Sequence, residues 1–281
     1  MVSYNAKDLF DLAGKTAVVT GALGYIGTLI VETLATNGAR VIILGRGRKL
    51  DKTILQLKNM FGNGKIDGKK IDMSYLDSYE LVLKEIAKEE EDLEIIINNA
   101  YPMNRDAGFN QPKLMLENAN RKHWEINLQG GIIWSVMSTQ ILGSKLIERQ
   151  AGSIINISSM YGIVAPDMKL YQETEFMNPP GYSVAKSGML GLTRYTASAW
   201  GKHGIRANAI LPGPFPNIAG KSDNAVQKND NVFLNRLMQR TCLNRYGNVN
   251  ELAGPVLFLA SEASSYVTGI SLCVDGGWTI I

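Results

Sequence analysis

Tyr182 and Lys186 stand four positions apart in GYSVAKSG (181–188), so on a helix the phenol and the ammonium share one face. A cation so placed can lower the phenol pKa from its ordinary value of about 10 and make it a usable proton donor or acceptor. An isolated Tyr-x-x-x-Lys says little, because the spacing arises by chance on many solvated helices. Here two more patterns accompany it. A strand-like run, SIINIS (153–158), delivers Ser158 and then Ser159 upstream of that pair. Far upstream, TGALGYIG (20–27) sets Gly21, Gly24 and Gly27 between an apolar strand and a helical pattern. Such a turn presents helix N–H groups and the positive end of the helix dipole to a pyrophosphate. Glycine could equally serve there only for backbone freedom in a tight connection.

The elements that must position these groups follow from the periodicity of the chain. Short β-branched runs alternate with longer helical patterns, the signature of βαβ units and a parallel sheet. The spacing predicts strands at 16–20, 40–44, 65–71, 94–98, 153–158, 206–211 and 270–274. Helices are expected at 26–37, 51–61, 74–90, 121–149, 183–203 and 250–260, with a shorter one at 232–239. Runs such as VIIL (41–44) and III (95–97) are apolar without alternation, as a sheet covered on both faces requires. The fold class expected is α/β, a doubly wound sandwich with a parallel sheet of about seven strands. At 281 residues, 45% hydrophobic and 20% charged, the chain reads as one globular domain spanning 1–281.

Composition also excludes function classes. A net charge of +3, with basic residues scattered apart from Arg46, Arg48, Lys49 and Lys52, does not describe a nucleic-acid surface. Cys242 and Cys273 lack the spacing of a disulfide framework or metal site, and His123 and His203 lack ligand spacing, so no metal is expected. The N-terminus has no apolar core of signal-peptide length, and the run at 130–143 is broken by Ser135, Ser138, Thr139 and Gln140. A cytoplasmic protein with no membrane association is expected.

The whole chain resembles a short-chain dehydrogenase/reductase of the classical type. The resemblance rests on LAGKTAVVTG (12–21), Asp72, NNA (98–100), Asn127, Ser159, Tyr182 with Lys186, IRANAILPGP (205–214) and VDGG (274–277). It implies a Rossmann-type fold and a catalytic tetrad of Asn127, Ser159, Tyr182 and Lys186. In that scheme Tyr182 exchanges a proton with a carbonyl or alcohol oxygen as hydride moves to or from a nicotinamide cofactor. Ser159 holds the oxygen, Lys186 favours the phenolate and bonds the cofactor ribose, and Asn127 holds a water linking Lys186 to solvent. Ser158 is the rival for the serine role; the motif places the functional hydroxyl last, leaving Ser158 as a strand-end structural group.

The cofactor set implied is Gly21, Leu23, Gly24, Tyr25, Ile26 and Gly27 at the turn. Asp72 and Met73 would meet the adenine, Asn99 and Ala100 the adenosine side, and Pro212, Gly213 and Phe215 the nicotinamide end. Tyr182 and Lys186 complete the set. Where NAD-binding proteins commonly present a carboxylate after the second strand, this chain has Gly45 followed by Arg46. The missing repulsion and the guanidinium favour NADP over NAD, unless Arg46 and Arg48 are only solvated loop charges.

Departures from the family pattern bear on the substrate. Tyr25 stands where the family has a glycine, a spacing closer to the sugar-nucleotide branch. Tyr101 and Pro102 replace the glycine expected after NNA and should stiffen a loop at the mouth of the site. Ser159 and Tyr182 are 23 positions apart, a longer interval than the family usually shows, so the insertion at about 160–181 should border the substrate. With Tyr161, Lys169, Tyr171, Glu173 and Glu175 it is similar to segments of dehydrogenase-like proteins of flagellin glycosylation and nonulosonic (sialic-acid-like) sugar pathways. Together with Asn104 and Arg105 it could bind a phosphorylated or nucleotide-linked sugar; it could also pack against a neighbouring subunit. The polar stretch at about 214–241 reads as a lid. Apolar Trp124, Ile132, Ile133, Trp134 and Met137 suggest a homo-oligomer, a tetramer or dimer. The expected function is NAD(P)-dependent hydride transfer on a small-molecule carbonyl or secondary alcohol of a sugar or amino-sugar derivative. A sugar-nucleotide epimerase or dehydratase retaining its cofactor, and a non-catalytic nucleotide sensor, are the alternatives.

Overall fold

Unbroken apolar strands can be satisfied only if both faces of the sheet are covered, and the computed structural model shows how. It describes residues 5–111, 114–218 and 231–281. Seven strands, β1 (Thr16–Val19), β2 (Arg40–Gly45), β3 (Ile66–Lys70), β4 (Leu93–Asn98), β5 (Gly152–Ile157), β6 (Ile205–Pro212) and β7 (Ser271–Val274), form one sheet in the order β3-β2-β1-β4-β5-β6-β7. Every pairing is parallel. Alternate residues of one strand enter different layers: Val19, Ile43, Ile97 and Ile155 join one buried cluster, while Val18, Ile42, Ile96 and Ile154 join the other.

The helices are α1 (Tyr25–Thr36), α2 (Gly47–Phe61), α3 (Leu76–Glu89), α4 (Arg121–Leu128), α5 (Trp134–Arg149), α6 (Pro180–Trp200), α7 (Asn231–Gln239) and α8 (Ala253–Ala260). The two layers draw on different helices. Ile30, Leu34 and Leu259 of α1 and α8 line the first cluster, and Leu83, Ile86, Leu142 and Leu146 of α3 and α5 line the second. The strand order reverses between β1 and β4, and a crevice opens beyond their C-terminal ends, where doubly wound sheets bind ligands.

Two expectations about the elements need correction. Helix α2 starts four residues earlier than predicted, at Gly47, so Arg48, Lys49 and Lys52 are helical and Arg46 is its N-cap. The expected helix at 121–149 contains a π-helical turn, Gln129–Ile133, between α4 and α5. Gly130 and Gly131 lie in that turn, and π-turns of this kind recur at functional sites. The insertion forms two short 3-10 turns, Met160–Gly162 and Met168–Tyr171, which pack with Met177, Leu237 and Trp278 into a third apolar cluster touching Tyr182. Of the expected lid, α7 docks on this cluster through Leu237 and Phe233; residues 219–230 lie outside the described residues.

Candidate active site

The crevice is about 1920 Å³ in volume and runs from α2 to the insertion. Its floor is the glycine turn. Gly21 has φ +65°, and a Cβ there would lie 2.7 Å from Ala100 Cα. A Cβ on Gly27 would lie 2.8 Å from the Gly21 carbonyl carbon, so only glycines let α1 begin this close to β1. Thr20 Oγ1 accepts hydrogen bonds from the N–H groups of Asn99 and Ala100 at 3.0 and 3.1 Å. In return Asn99 Nδ2 donates to the Gly21 carbonyl at 3.0 Å, bracing the turn from below. Leu23, Gly24, Tyr25 and Ile26 also line the crevice, and the Tyr25 hydroxyl is hydrogen-bonded to the backbone of Val249.

At the α2 end, where the adenosine is expected, Arg46 Nη1 pairs with Asp72 Oδ2 at 2.9 Å while its side chain stays 72% exposed. The Ser74 hydroxyl, with its N–H and Arg46, holds the Asp72 carboxyl below the usual carboxylate range, so it is ionised at neutral pH. Met73 lines the same end. Lys49, which sequence reasoning left within a basic cluster, donates to the Leu23 carbonyl at 2.6 Å and supplies a second cation to the crevice. Arg48 does not line it. At the other end, β6 delivers Pro212 and Gly213, and Phe215 packs over Gly247, where a Cβ would come within 2.7 Å of the ring. The cradle of small residues, the helix N-terminus, the two cations and the crevice volume fit a nicotinamide dinucleotide.

Helix α6 positions Tyr182 and Lys186, opening with Pro180 in its first turn. Both residues face the crevice, as does Ser159, whose hydroxyl lies against the Tyr182 phenol and favours its ionised form. Ser159 also accepts from the Tyr161 N–H at 3.1 Å. Ser158 also lines the crevice, but its hydroxyl is engaged by the fold: it donates to the Lys186 carbonyl at 2.8 Å, tying β5 to α6. Lys186 Nζ donates to the Ile157 carbonyl at 2.8 Å, and burial pulls its pKa down from 10.5 to about 7. Burial pushes Tyr182 up to about 12, with Ser159 opposing. The expected lowering of Tyr182 by Lys186 is thus not what this geometry gives. The ammonium lies 5.7 Å from the Tyr182 ring centroid and directs its hydrogen bond at a carbonyl, so desolvation governs both groups.

Asn127 is fully buried and does not line the crevice. Its amide bonds the Ala107 and His123 carbonyls and takes a hydrogen bond from the Tyr101 hydroxyl, so Tyr101 stands between it and the Tyr182–Lys186 pair. The end of the crevice at the insertion is walled by Tyr101, Phe109, Tyr161, Tyr171, Phe176 and Asn178. The Tyr161 and Tyr171 hydroxyls are 2.9 Å apart, and Asn178 Nδ2 donates to Tyr171 at 2.8 Å. Lys169, Glu173, Glu175 and Arg105 are exposed and outside the lining, because the 3-10 turn that buries Leu170 and Tyr171 aims Lys169 outward. Asn104 lines the crevice, yet its side-chain oxygen caps the Ala107 N–H. Phe109, Asn178 and Phe233 escaped sequence reasoning, since only tertiary packing brings Phe109 against Tyr182 and the other two into the same crevice. Among the described residues no cluster of His, Cys, Asp or Glu could hold a metal, and no helix is long and apolar enough to cross a membrane.

A family model described as enoyl-(acyl carrier protein) reductase matches residues 21–279. Gluconate 5-dehydrogenase of Gluconobacter oxydans is 31% identical over 280 residues, covering 97% of this chain and 98% of that protein. A 3-oxoacyl-(acyl-carrier-protein) reductase of Chlamydia trachomatis is 32% identical over 271 residues, covering 95% and 98%. The crystal structure of a gluconate 5-dehydrogenase from Burkholderia cenocepacia, in complex with NADP and tartrate, superposes with a TM-score of 0.84 at 27% identity, covering 99% of this chain and all of that one.

Proposed function

The chain belongs to the short-chain dehydrogenase/reductase family and is an NAD(P)-dependent oxidoreductase acting on CH–OH or C=O groups; from that premise we propose that it uses NADP and interconverts a secondary alcohol and ketone on a sugar-derived substrate. The observation that carries the proposal is the convergence of Tyr182, Lys186 and Ser159 on one crevice with the glycine turn. When bound, the nicotinamide supplies or accepts the hydride. Ser159 and Tyr182 together grip the substrate oxygen, and Tyr182 donates its proton as charge develops there, or removes one in the oxidative direction. Lys186 anchors the catalytic end of α6 to the Ile157 carbonyl and holds a cation beside the phenol. The aromatic wall around Phe109, Tyr171 and Phe176 keeps water from the reacting carbon.

Gly45 and the cations Arg46 and Lys49 support NADP, because a 2′-phosphate would meet two positive groups, and the Asp72 carboxylate beside them is already paired. The gluconate dehydrogenases among the relatives support a sugar acid or polyol; a phosphorylated or nucleotide-linked amino sugar is the second candidate, and of the polar insertion residues that suggested it none of Lys169, Glu173 and Glu175 lines the crevice. Exposed Ile133, Val184 and Tyr195 support a homo-oligomer built on α6 and the turn before α5. The test is absorbance of NADPH against gluconate, 2-dehydro-3-deoxygluconate and amino-sugar panels, with wild type and Tyr182→Phe. Stoichiometric cofactor turnover that Tyr182→Phe abolishes is expected; product formation without net cofactor change would replace the proposal with a retained-cofactor epimerase. Higher catalytic efficiency with NADH would overturn the NADP assignment.

A further inference from the structure

Behind the catalytic pair, Tyr101 fills a site cut for it. Its hydroxyl donates to Asn127 Oδ1 at 2.5 Å, and Asn127 is fixed in turn by donating to the Ala107 and His123 carbonyls, each at 2.7 Å. The Tyr101 ring lies 4.8 Å from Lys186 Nζ and edge-on to Tyr182, with ring centroids 5.0 Å apart. Phe109 closes the other side, 6.0 Å from Tyr101 and 5.5 Å from Tyr182. The long helix makes room for this arrangement. A Cβ on Gly131 would come within 2.7 Å of the Tyr101 ring, and one on Gly130 would run into Pro102. Both glycines belong to the π-helical turn, so the helix is opened where the ring and the proline enter. Two pairs far apart in sequence, Tyr101-Pro102 and Gly130-Gly131, are one packing solution.

We propose that Tyr101 is a positioning residue for hydride transfer: its aromatic face, pinned by Asn127, holds the Lys186 ammonium beside Tyr182. The inference rests on reading Tyr182 and Lys186 as the proton-handling pair. Three groups face the ammonium: the Ile157 carbonyl from β5, the Tyr182 ring from its own helix and the Tyr101 ring from the loop after β4. The two phenols are the titratable ones, and among the described residues no carboxylate pairs with Lys186. A buried ammonium with one carbonyl bond and no counter-ion is costly, and the negative face of an aromatic ring is the remaining compensation. Packing against Gly131 and Phe109 sets where that face lies, and the hydroxyl–Asn127 bond reinforces it.

Tyr101→Leu and Tyr101→Phe separate the ring from its hydroxyl in the intact enzyme. With Leu, the high-pH fall of kcat that marks loss of the ammonium proton is expected to move down by about one pH unit. At mildly alkaline pH kcat drops about tenfold, with the KM for NADPH changed less than about twofold. Phe keeps the ring and restores the wild-type limb, at a cost in kcat of no more than about threefold. Competitive acetylation of Lys186 across the same pH range, read by mass spectrometry, should show the same displacement in Leu and not in Phe. An unmoved limb and labelling curve in Leu would overturn the proposal, as would a displacement in Phe equal to that in Leu. Near-UV circular dichroism checks folding, and Tyr101→Met replaces Leu if that variant does not fold. Labelling needs no turnover, so it decides the role of Tyr101 even if no tested substrate reacts, whereas full activity in Tyr182→Phe would sink the underlying reading alone.

Discussion

Replacing each of the adjacent serines by alanine should separate stability from catalysis. Ser158 is 3% exposed, and its hydroxyl makes a single 2.8 Å bond to the Lys186 carbonyl. That carbonyl sits inside α6 and keeps its helical partner when the hydroxyl is removed, so the loss is one net hydrogen bond, about 1 kcal/mol. For a chain of this size that is a fall in Tm of roughly 2–4 °C, with kcat within about twofold of wild type. Ser159 lies against the Tyr182 phenol, where it would grip the reacting oxygen. Removing a donor that acts on developing charge costs about 10²–10³ in kcat, or roughly 3–4 kcal/mol of transition-state stabilisation. Losing the bond that its hydroxyl accepts from the Tyr161 N–H adds only a small loss of stability. Steady-state kinetics on the best substrate, paired with thermal unfolding of both variants, reads the two effects separately. Should Ser158→Ala lose as much kcat as Ser159→Ala, the division of labour derived from the 2.8 Å bond is wrong.

Gly27→Ala forces a methyl group against the Gly21 carbonyl; at about 1–3 kcal/mol of overpacking, NADPH affinity measured by fluorescence should fall on the order of tenfold or more. Gly45→Asp puts a carboxylate where a Cβ meets side chains alone, with Leu23 Cδ1 at 2.7 Å and Leu50 Cδ1 at 3.3 Å, so the fold should survive while the ratio of kcat/KM for NADPH over NADH falls about tenfold or more. Lys186 offers a test by pH. Its folded pKa of about 7 lies below the unfolded value of 10.5, so the unfolded chain binds more protons between these values and stability should rise with pH across that window. Lys186→Met should therefore melt above wild type near pH 7, by an amount on the order of a few kcal/mol, and the gap should close toward pH 10.5; a gap that widens would refute the burial argument. Above about pH 10 the raised Tyr182 pKa reverses the trend, because the folded state then holds a proton that the unfolded chain has released.

The seven strands, their parallel sheet and the glycine turn were legible in the sequence because each depends on short-range regularity: apolar runs, helical spacing, and a turn only glycine can make. Tyr182 and Lys186 were legible for the same reason, since four residues on a helix make one face. Tertiary structure decided what lies behind and around them. No local pattern says that Tyr101 must seat against Gly131 in a π-turn far along the chain, or that its hydroxyl would take Asn127 out of the crevice. Nor does it say which insertion side chains turn inward: Tyr161 and Tyr171 meet over Asn178 while Lys169 and Glu173 face outward. Proton affinities belong with these later decisions, because burial sets those of Tyr182 and Lys186, and burial is a property of everything packed around a residue rather than of its neighbours in the chain.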